Sequence, residues 1–411
     1  MHTLRRLLGL AILVTLAALA TGARAQGSGA QDQLTIGAFV TLSGVSADVG
    51  GQMKAGMEIA VEQIGKDYAV AGKPMKVRVI YYDDEGKADT GLNVVIRALT
   101  VDKIDVGVGF LSSDVYIRVV DEFQKAGVPV VACCSASMKI GDKIAAQSMQ
   151  YVFQLSPTAR DVATATIAAV ATLVKPTKVA LLNENTDSGR DFSRISREWL
   201  AANAPQVQVV SDDFVARGVP DLTPQLVKFK RLEAGAIVGE VYGTAAPTLY
   251  QQYNELRVPS VIAHEGTSAS ADSFVAENGA LMEGTLVNVR WIPGDYTPLS
   301  APFVAAYTKK TGASPSTFAV QAFDTMLVAL ESVRAAGSLD HAKVAAAMQD
   351  TEFTAAWGKR HFTPLAEGHR MPVETIVMQI QGGRKVVVYP PEIAAQQGGS
   401  YRQVPPYAWE K

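Results

Sequence analysis

The sequence predicts an α/β protein of two doubly wound lobes, and three observations carry that prediction. Short β-rich apolar runs alternate with amphipathic helical runs, the pattern of parallel sheets covered on both faces. The alternation completes one round and restarts near Tyr151. The chain has 411 residues, enough for two ordinary domains rather than one.

The first segment stands outside the fold. Arg5 and Arg6 precede an apolar stretch, Leu7 to Ala20, and Ala23-Arg24-Ala25 follows. That order is a secretory signal peptide, with cleavage expected after Ala25; the alternative is an uncleaved anchor helix, for which the stretch is short. Gln26, not a cysteine, stands directly after the cleavage point, so no lipid anchor is expected there and a soluble periplasmic protein is.

The first round then runs in order. Leu34 to Phe39 reads as a strand, and Met53, Met57, Ile59, Ala60 and Ile64 mark a helix by their spacing. Lys76 to Tyr82 is a strand, and Asp89 is the expected N-cap of the next helix. Val106 to Phe110 is a strand, Val115 to Lys125 a helix, and Val128 to Ala132 a short strand.

In the second round the strands are Tyr151 to Gln154, Lys178 to Leu182, Val207 to Val215, Gly235 to Val238 and Ser260 to Ala263. The helices are Val162 to Leu173, Ser188 to Ala202, Leu222 to Leu232 and Thr248 to Leu256. Thr285 to Trp291 is extended. Pro302 to Lys310, Ala319 to Ala335 and His341 to Met348 are helical, and a hairpin turns at Gly382-Gly383. The simplest path returns to the first lobe near Val287 and to the second near Phe362. It gives lobe 1 residues 34–154 and 288–361, and lobe 2 residues 155–287 and 362–411. Hinged lobes of this kind bind ligands in the cleft between them, at the carboxyl ends of the strands.

Several chemistries are unsupported. The net charge is -2 and aromatics make up 7%, so nothing argues for nucleic acid. The only cysteines, Cys133 and Cys134, are adjacent. Two neighbours make no metal site, and bridging them is geometrically demanding, so two buried thiols are expected. No GxSxG, HExxH or Walker motif occurs. Gly107 to Ser112 looks like a broken dinucleotide fingerprint and reads better as a tight strand-to-helix turn. No cofactor, no metal and no enzymatic activity are expected.

The chain resembles the type I periplasmic solute-binding proteins of the branched-chain amino acid and amide ABC transporters. The resemblance rests on Leu42-Ser43-Gly44 with Gly50-Gly51, Tyr81-Tyr82-Asp83-Asp84, Gly109 to Ser113, Val128 to Ser137, His264-Glu265-Gly266 and Lys385 to Pro391. It spans nearly the whole mature chain. It implies Rossmann-like lobes joined by a multi-strand hinge, closing on a small amino acid. Aromatic acids or amides are the alternative, as is a sensory receptor of the same fold. The expected partners are the ligand and an inner-membrane ABC permease, with the protein a monomer.

The expected site follows. Ser112 and Ser113 end a strand and open a helix, where free N–H groups and a hydroxyl can hold a carboxylate; plain N-capping is the alternative. The resemblance assigns Ser135, Ala136 and Ser137 to the ligand's carboxylate and ammonium, Glu265 to the ammonium, and Tyr242 to a further contact. Val49 and Ser188 stand where leucine-binding relatives carry rings, which implies a larger pocket unless Trp291 or Phe318 fills it. Asp83 and Asp84 read as loop hydrogen-bonding groups.

Overall fold

The computed structural model describes residues 33–265, 272–293, 296–373 and 375–403. The signal-peptide reading and its cleavage point lie outside them.

In chain order the first sheet and its helices are β1 (Gln33–Val40), α1 (Ala47–Ile64), β2 (Lys76–Asp83), α2 (Ala88–Arg97), β3 (Val106–Gly109), α3 (Ser113–Ala126), β4 (Val130–Ala132), α4 (Met138–Ala146) and β5 (Val152–Gln154). The strands lie side by side in the order β2-β1-β3-β4-β5 and all pair in parallel. The inner strands β1, β3 and β4 are buried and largely apolar on both faces, as a sheet covered on both sides demands, while the edge strand β2 is only partly buried.

The second body contains α5 (Ala159–Ala169), β6 (Lys178–Glu184), α6 (Asp187–Asn203), β7 (Gln208–Val215), α7 (Thr223–Arg231), β8 (Ala236–Glu240), α8 (Ala245–Glu255), β9 (Val261–Glu265), α9 (Asp272–Asn278) and β10 (Leu286–Val289). The chain then adds α10 (Ser300–Thr311), α11 (Thr317–Ala336) and α12 (His341–Asp350) to the first body. It returns to the second with β11 (Ile376–Gln381) and β12 (Arg384–Tyr389). The second sheet runs β12-β11-β10-β9-β8-β6-β7. It is parallel except at one edge, where β11 runs antiparallel to both β10 and β12. A tight hairpin can only be antiparallel, so the sheet is mixed rather than purely parallel.

Three crossings join the bodies. The first follows Leu155, which still packs in the first core. The second falls between Val289, in the second core, and Trp291, in the first. The segment expected to leave near Val287 stays on because Glu265 pairs with Asn288. The third lies beyond Val373. Phe362, Met371 and Val373 pack in the first core, and Arg370 bridges Gln154 in parallel.

Local capping explains several boundaries. Thr158 and Asp161 form a capping box at the start of α5, and Ser316 caps α11. Asp89 is not the N-cap of α2. Lys87 holds that position, and Asp89 lies inside the first turn, where a carboxylate still favours the helix dipole. α1 and α11 pack closely through Gly56, since a Cβ there would come 2.1 Å from the Ala319 carbonyl oxygen.

Candidate functional site

The strands of both sheets end toward one interface, and a cavity lies there. On the first-lobe side it meets Ser46 and Val49 after β1, Leu111, Ser112 and Ser113 after β3, and Cys134 and Ala136 after β4. Phe318 of α11 closes this wall. On the second-lobe side it meets Thr186 and Ser188 at the start of α6, Arg217 after β7, Glu240 and Tyr242 at and beyond the end of β8, and Arg290 after β10.

The turn from β3 into α3 is tight. Phe110 takes a left-handed backbone (φ 65°), and Ser112 takes the N-cap position with no side-chain cap bond. The Ser112 Oγ is buried and has no hydrogen-bond partner among the described residues. A buried hydroxyl left unsatisfied at a helix N-terminus is a place where a ligand oxygen completes the bonding. The Ser113 Oγ is engaged: it accepts the N–H groups of Ala136 (3.0 Å) and Ser137 (3.1 Å), tying the two strand ends together.

The 135–137 loop is held from several sides. The Ser135 hydroxyl donates to the Phe110 carbonyl (3.0 Å), and that of Ser137 donates to Asp191 (2.8 Å). The Gln154 amide donates to the Ser135 and Ser137 carbonyls, and the Ala159 N–H to that of Ala136. Of the three residues only Ala136 lines the cavity, while Ser135 and Ser137 brace the loop behind it.

Cys133 and Cys134 are paired as a disulfide, which corrects the expectation of two thiols. They follow β4 where the chain bends, so successive side chains are no longer sent to opposite faces as in a strand. Cys134 faces the cavity.

The second-lobe wall carries charge. The Ser188 hydroxyl donates to Glu240 (3.0 Å). Strand register sets Glu240 beside Asn183 on one side and Glu265 on the other. The backbone of Glu265 thus ends β9 next to Glu240; its side chain lies outside the described residues. Arg217 donates to Glu184 (3.0 Å), whose other oxygen accepts the Tyr242 N–H (3.1 Å). Burial by itself would lower the Arg217 pKa, but the adjacent Glu184 charge and hydrogen bond outweigh it and raise it overall. Arg290 is buried and donates to the Ser156 hydroxyl at the first crossing (3.0 Å).

The structure therefore brings Val49, Ser112, Ser113, Ala136, Ser188 and Tyr242 together at one cavity. Sequence reasoning missed Glu240, Arg217 and Arg290. Glu240 and Arg290 sit at or one residue beyond strand ends, so the strand-end rule applied to every strand would have found them. Arg217 lies in an irregular loop with no such signal. Phe318 lines the same cavity as Val49 and Ser188. His264 is not among the cavity residues and packs against Tyr250, which in turn meets Phe274. Asp83 and Asp84 accept loop hydrogen bonds from Leu42, Glu85, Thr41 and Gly86, as expected.

Among the described residues no cluster of potential metal ligands occurs, and no helix is long and apolar enough to cross a membrane.

Known proteins share this architecture. The Leu/Ile/Val-binding protein homolog 7 of Brucella abortus is 24% identical over 400 residues, covering 92% of this chain and 96% of that protein. The homolog 3 protein of Brucella melitensis is 27% identical over 328 residues, covering 79% and 85%. Among solved structures, a solute-binding protein of an R. palustris ABC transporter in complex with benzoate has a TM-score of 0.78 at 18% identity, covering 87% and 95%. LivJ of Streptococcus pneumoniae in complex with isoleucine has 0.76 at 21%, covering 87% and 100%. The family model described as periplasmic binding protein matches residues 33–385, most of the chain. With its paired sheets, triple crossing and interlobe cavity, the chain belongs to the periplasmic binding protein family, whose members are solute-binding proteins of transporters rather than enzymes.

Proposed function

We propose that this protein serves as the extracytoplasmic receptor of an ABC importer, and that its cavity holds a small amino acid with an apolar side chain. The carrying observation is the buried, unpartnered Ser112 hydroxyl at the N-terminus of α3. A ligand carboxylate placed there gains the helix N-terminus, that hydroxyl and the Ser113 corner. The ammonium then lies toward Glu240 and the end of β9, where Glu265 stands in register. Val49, Leu111, Cys134 and Phe318 supply an apolar wall for the tail. Each lobe holds one end of the ligand, so the ligand favours closure. The working unit is a monomer that presents its closed form to the permease.

A plain aromatic acid is the second reading. Arg217 and Arg290 on the same wall supply fixed positive charge, which lessens the need for a ligand ammonium. Calorimetry with L-leucine, L-phenylalanine and benzoate separates the two. For an amino acid, Glu265→Gln weakens binding by about 2–5 kcal/mol, the usual cost of breaking a desolvated charge pair from one side, and leaves benzoate unaffected. Benzoate bound by wild type with neither amino acid bound would replace the first reading by the second.

A further inference from the structure

We infer that Val45 and two glycines of the opposite lobe form the seat on which the cleft mouth closes, and that this seat sets the closed position of the cavity walls. The inference rests on the cavity reading above. Val45 lies in the single turn after β1 of the first sheet, while Gly218 and Gly243 follow β7 and β8 of the second. Both glycines have left-handed backbones, φ 69° and 52°. A Cβ on Gly218 would lie 2.7 Å from Val45 Cγ1 and 3.0 Å from its Cβ. A Cβ on Gly243 would lie 2.6 Å from the Val45 carbonyl oxygen. The two lobes thus approach here as closely as the absence of two side chains allows.

Each partner in the seat is the chain neighbour of a cavity residue: Val45 of Ser46, Gly218 of Arg217, and Gly243 of Tyr242. Arg217 also reaches the opposite rim, where a Cβ on Gly86 would come 3.7 Å from its Nη1. Seating Val45 between the glycines therefore brings Ser46, Arg217 and Tyr242 into place together. Val45 itself is 42% exposed, so it contributes little to either core, and its contact is made across the cleft.

The two clashes differ in kind, which supplies the test. Gly218→Ala collides with the Val45 side chain, and Val45→Gly removes that obstacle. Gly243→Ala collides with backbone, and Val45→Gly does not relieve it. Each variant is measured by small-angle X-ray scattering, ligand-free and with saturating L-leucine, L-phenylalanine or benzoate, and by calorimetry with whichever of these the wild type binds. Gly218→Ala is expected to keep the larger, open radius of gyration and to bind about tenfold or more weakly, since the apparent dissociation constant rises as the closed-competent fraction falls. The Val45→Gly, Gly218→Ala double variant is expected to recover compactness and most of the affinity, and Val45→Gly with Gly243→Ala to recover neither. If wild type binds none of the three probes, the amino-acid and aromatic-acid readings fall. The ligand-free scattering still tests the seat through its minor closed population, which is expected to be smaller in Gly218→Ala than in wild type and restored in the double variant. A Gly218→Ala protein as compact as wild type, or a double variant that stays open, overturns the inference.

Discussion

Two adjacent serines at the start of α3 look equivalent in sequence and differ in what they hold. Ser112 has a buried hydroxyl without a partner among the described residues, while the Ser113 hydroxyl accepts two backbone N–H groups. Ser112→Ala is therefore expected to weaken ligand binding by about 1.5–3 kcal/mol, the range for a hydrogen bond to a charged group, with the ligand-free melting temperature unchanged. Ser113→Ala is expected to lower both, because it leaves two buried N–H groups unpaired. Calorimetry and thermal melts on the pair check the contrast. Asp324 of α11 offers a second test. It is buried and accepts the N–H groups of Ala356 (2.7 Å) and Trp357 (3.2 Å). Burial pushes its pKa up to about 7, with those hydrogen bonds and the Arg360 charge opposing. A carboxyl with a raised pKa holds its proton more firmly in the folded chain than in the unfolded one. Its contribution to stability is whole below the unfolded value near 4 and is lost as pH rises through about 7. Melting temperatures measured from pH 4 to 8 should thus fall by an increment that Asp324→Asn lacks. Of these residues the serines were legible, because strand ends and helix starts are local features. Arg217 and the Asp324 clasp were not, because each acquires its role from groups far away in the chain.

The strands and helices themselves were legible almost throughout, since burial on both faces writes a nearly continuous apolar run for each strand and a periodic one for each helix. β1, β2, β3, α3, α6, β7, α11 and the β11–β12 hairpin fall close to where the periodicity puts them. Shorter elements escaped. α4 has nine residues, and its cap, Ser137, reads in sequence as part of a ligand loop. The crossings escaped for a different reason. Whether β10 belongs to the first or the second sheet depends on its pairing with β9, which no local pattern encodes. Packing between elements yields a prediction of its own. Gly56 is the point of closest approach between α1 and α11, and Gly56→Ala would drive a methyl into the Ala319 carbonyl. The expected cost is about 1–3 kcal/mol, the usual range for overpacking, even though alanine is the better helix former. Denaturant unfolding monitors it; a more stable variant would mean that the helices separate freely.

At the level of the whole molecule, two lobes that each grip one end of the proposed ligand would respond to it as one thermodynamic unit. A ligand that binds only the folded form adds about 2.7 kcal/mol of stability at a hundredfold excess over its dissociation constant. A thermal-shift screen of amino acids, amides and aromatic acids is expected to show a raised midpoint for apolar-tailed amino acids. No shift for any of them, with one for another class, would redirect the assignment. The interleaving of the lobes has a further consequence. All five strands of the first sheet precede residue 155, yet the helix that covers them, α11, comes far later. Tyr68 donates its hydroxyl to the Leu330 carbonyl (2.5 Å) across 262 residues of chain, and α11 is buried along most of its length. A chain emerging from its N-terminus, from a ribosome or through a translocation pore, cannot complete this lobe until its last quarter has appeared. Until then α1 lacks the helix it packs against, and the core on that face of the sheet stays incomplete.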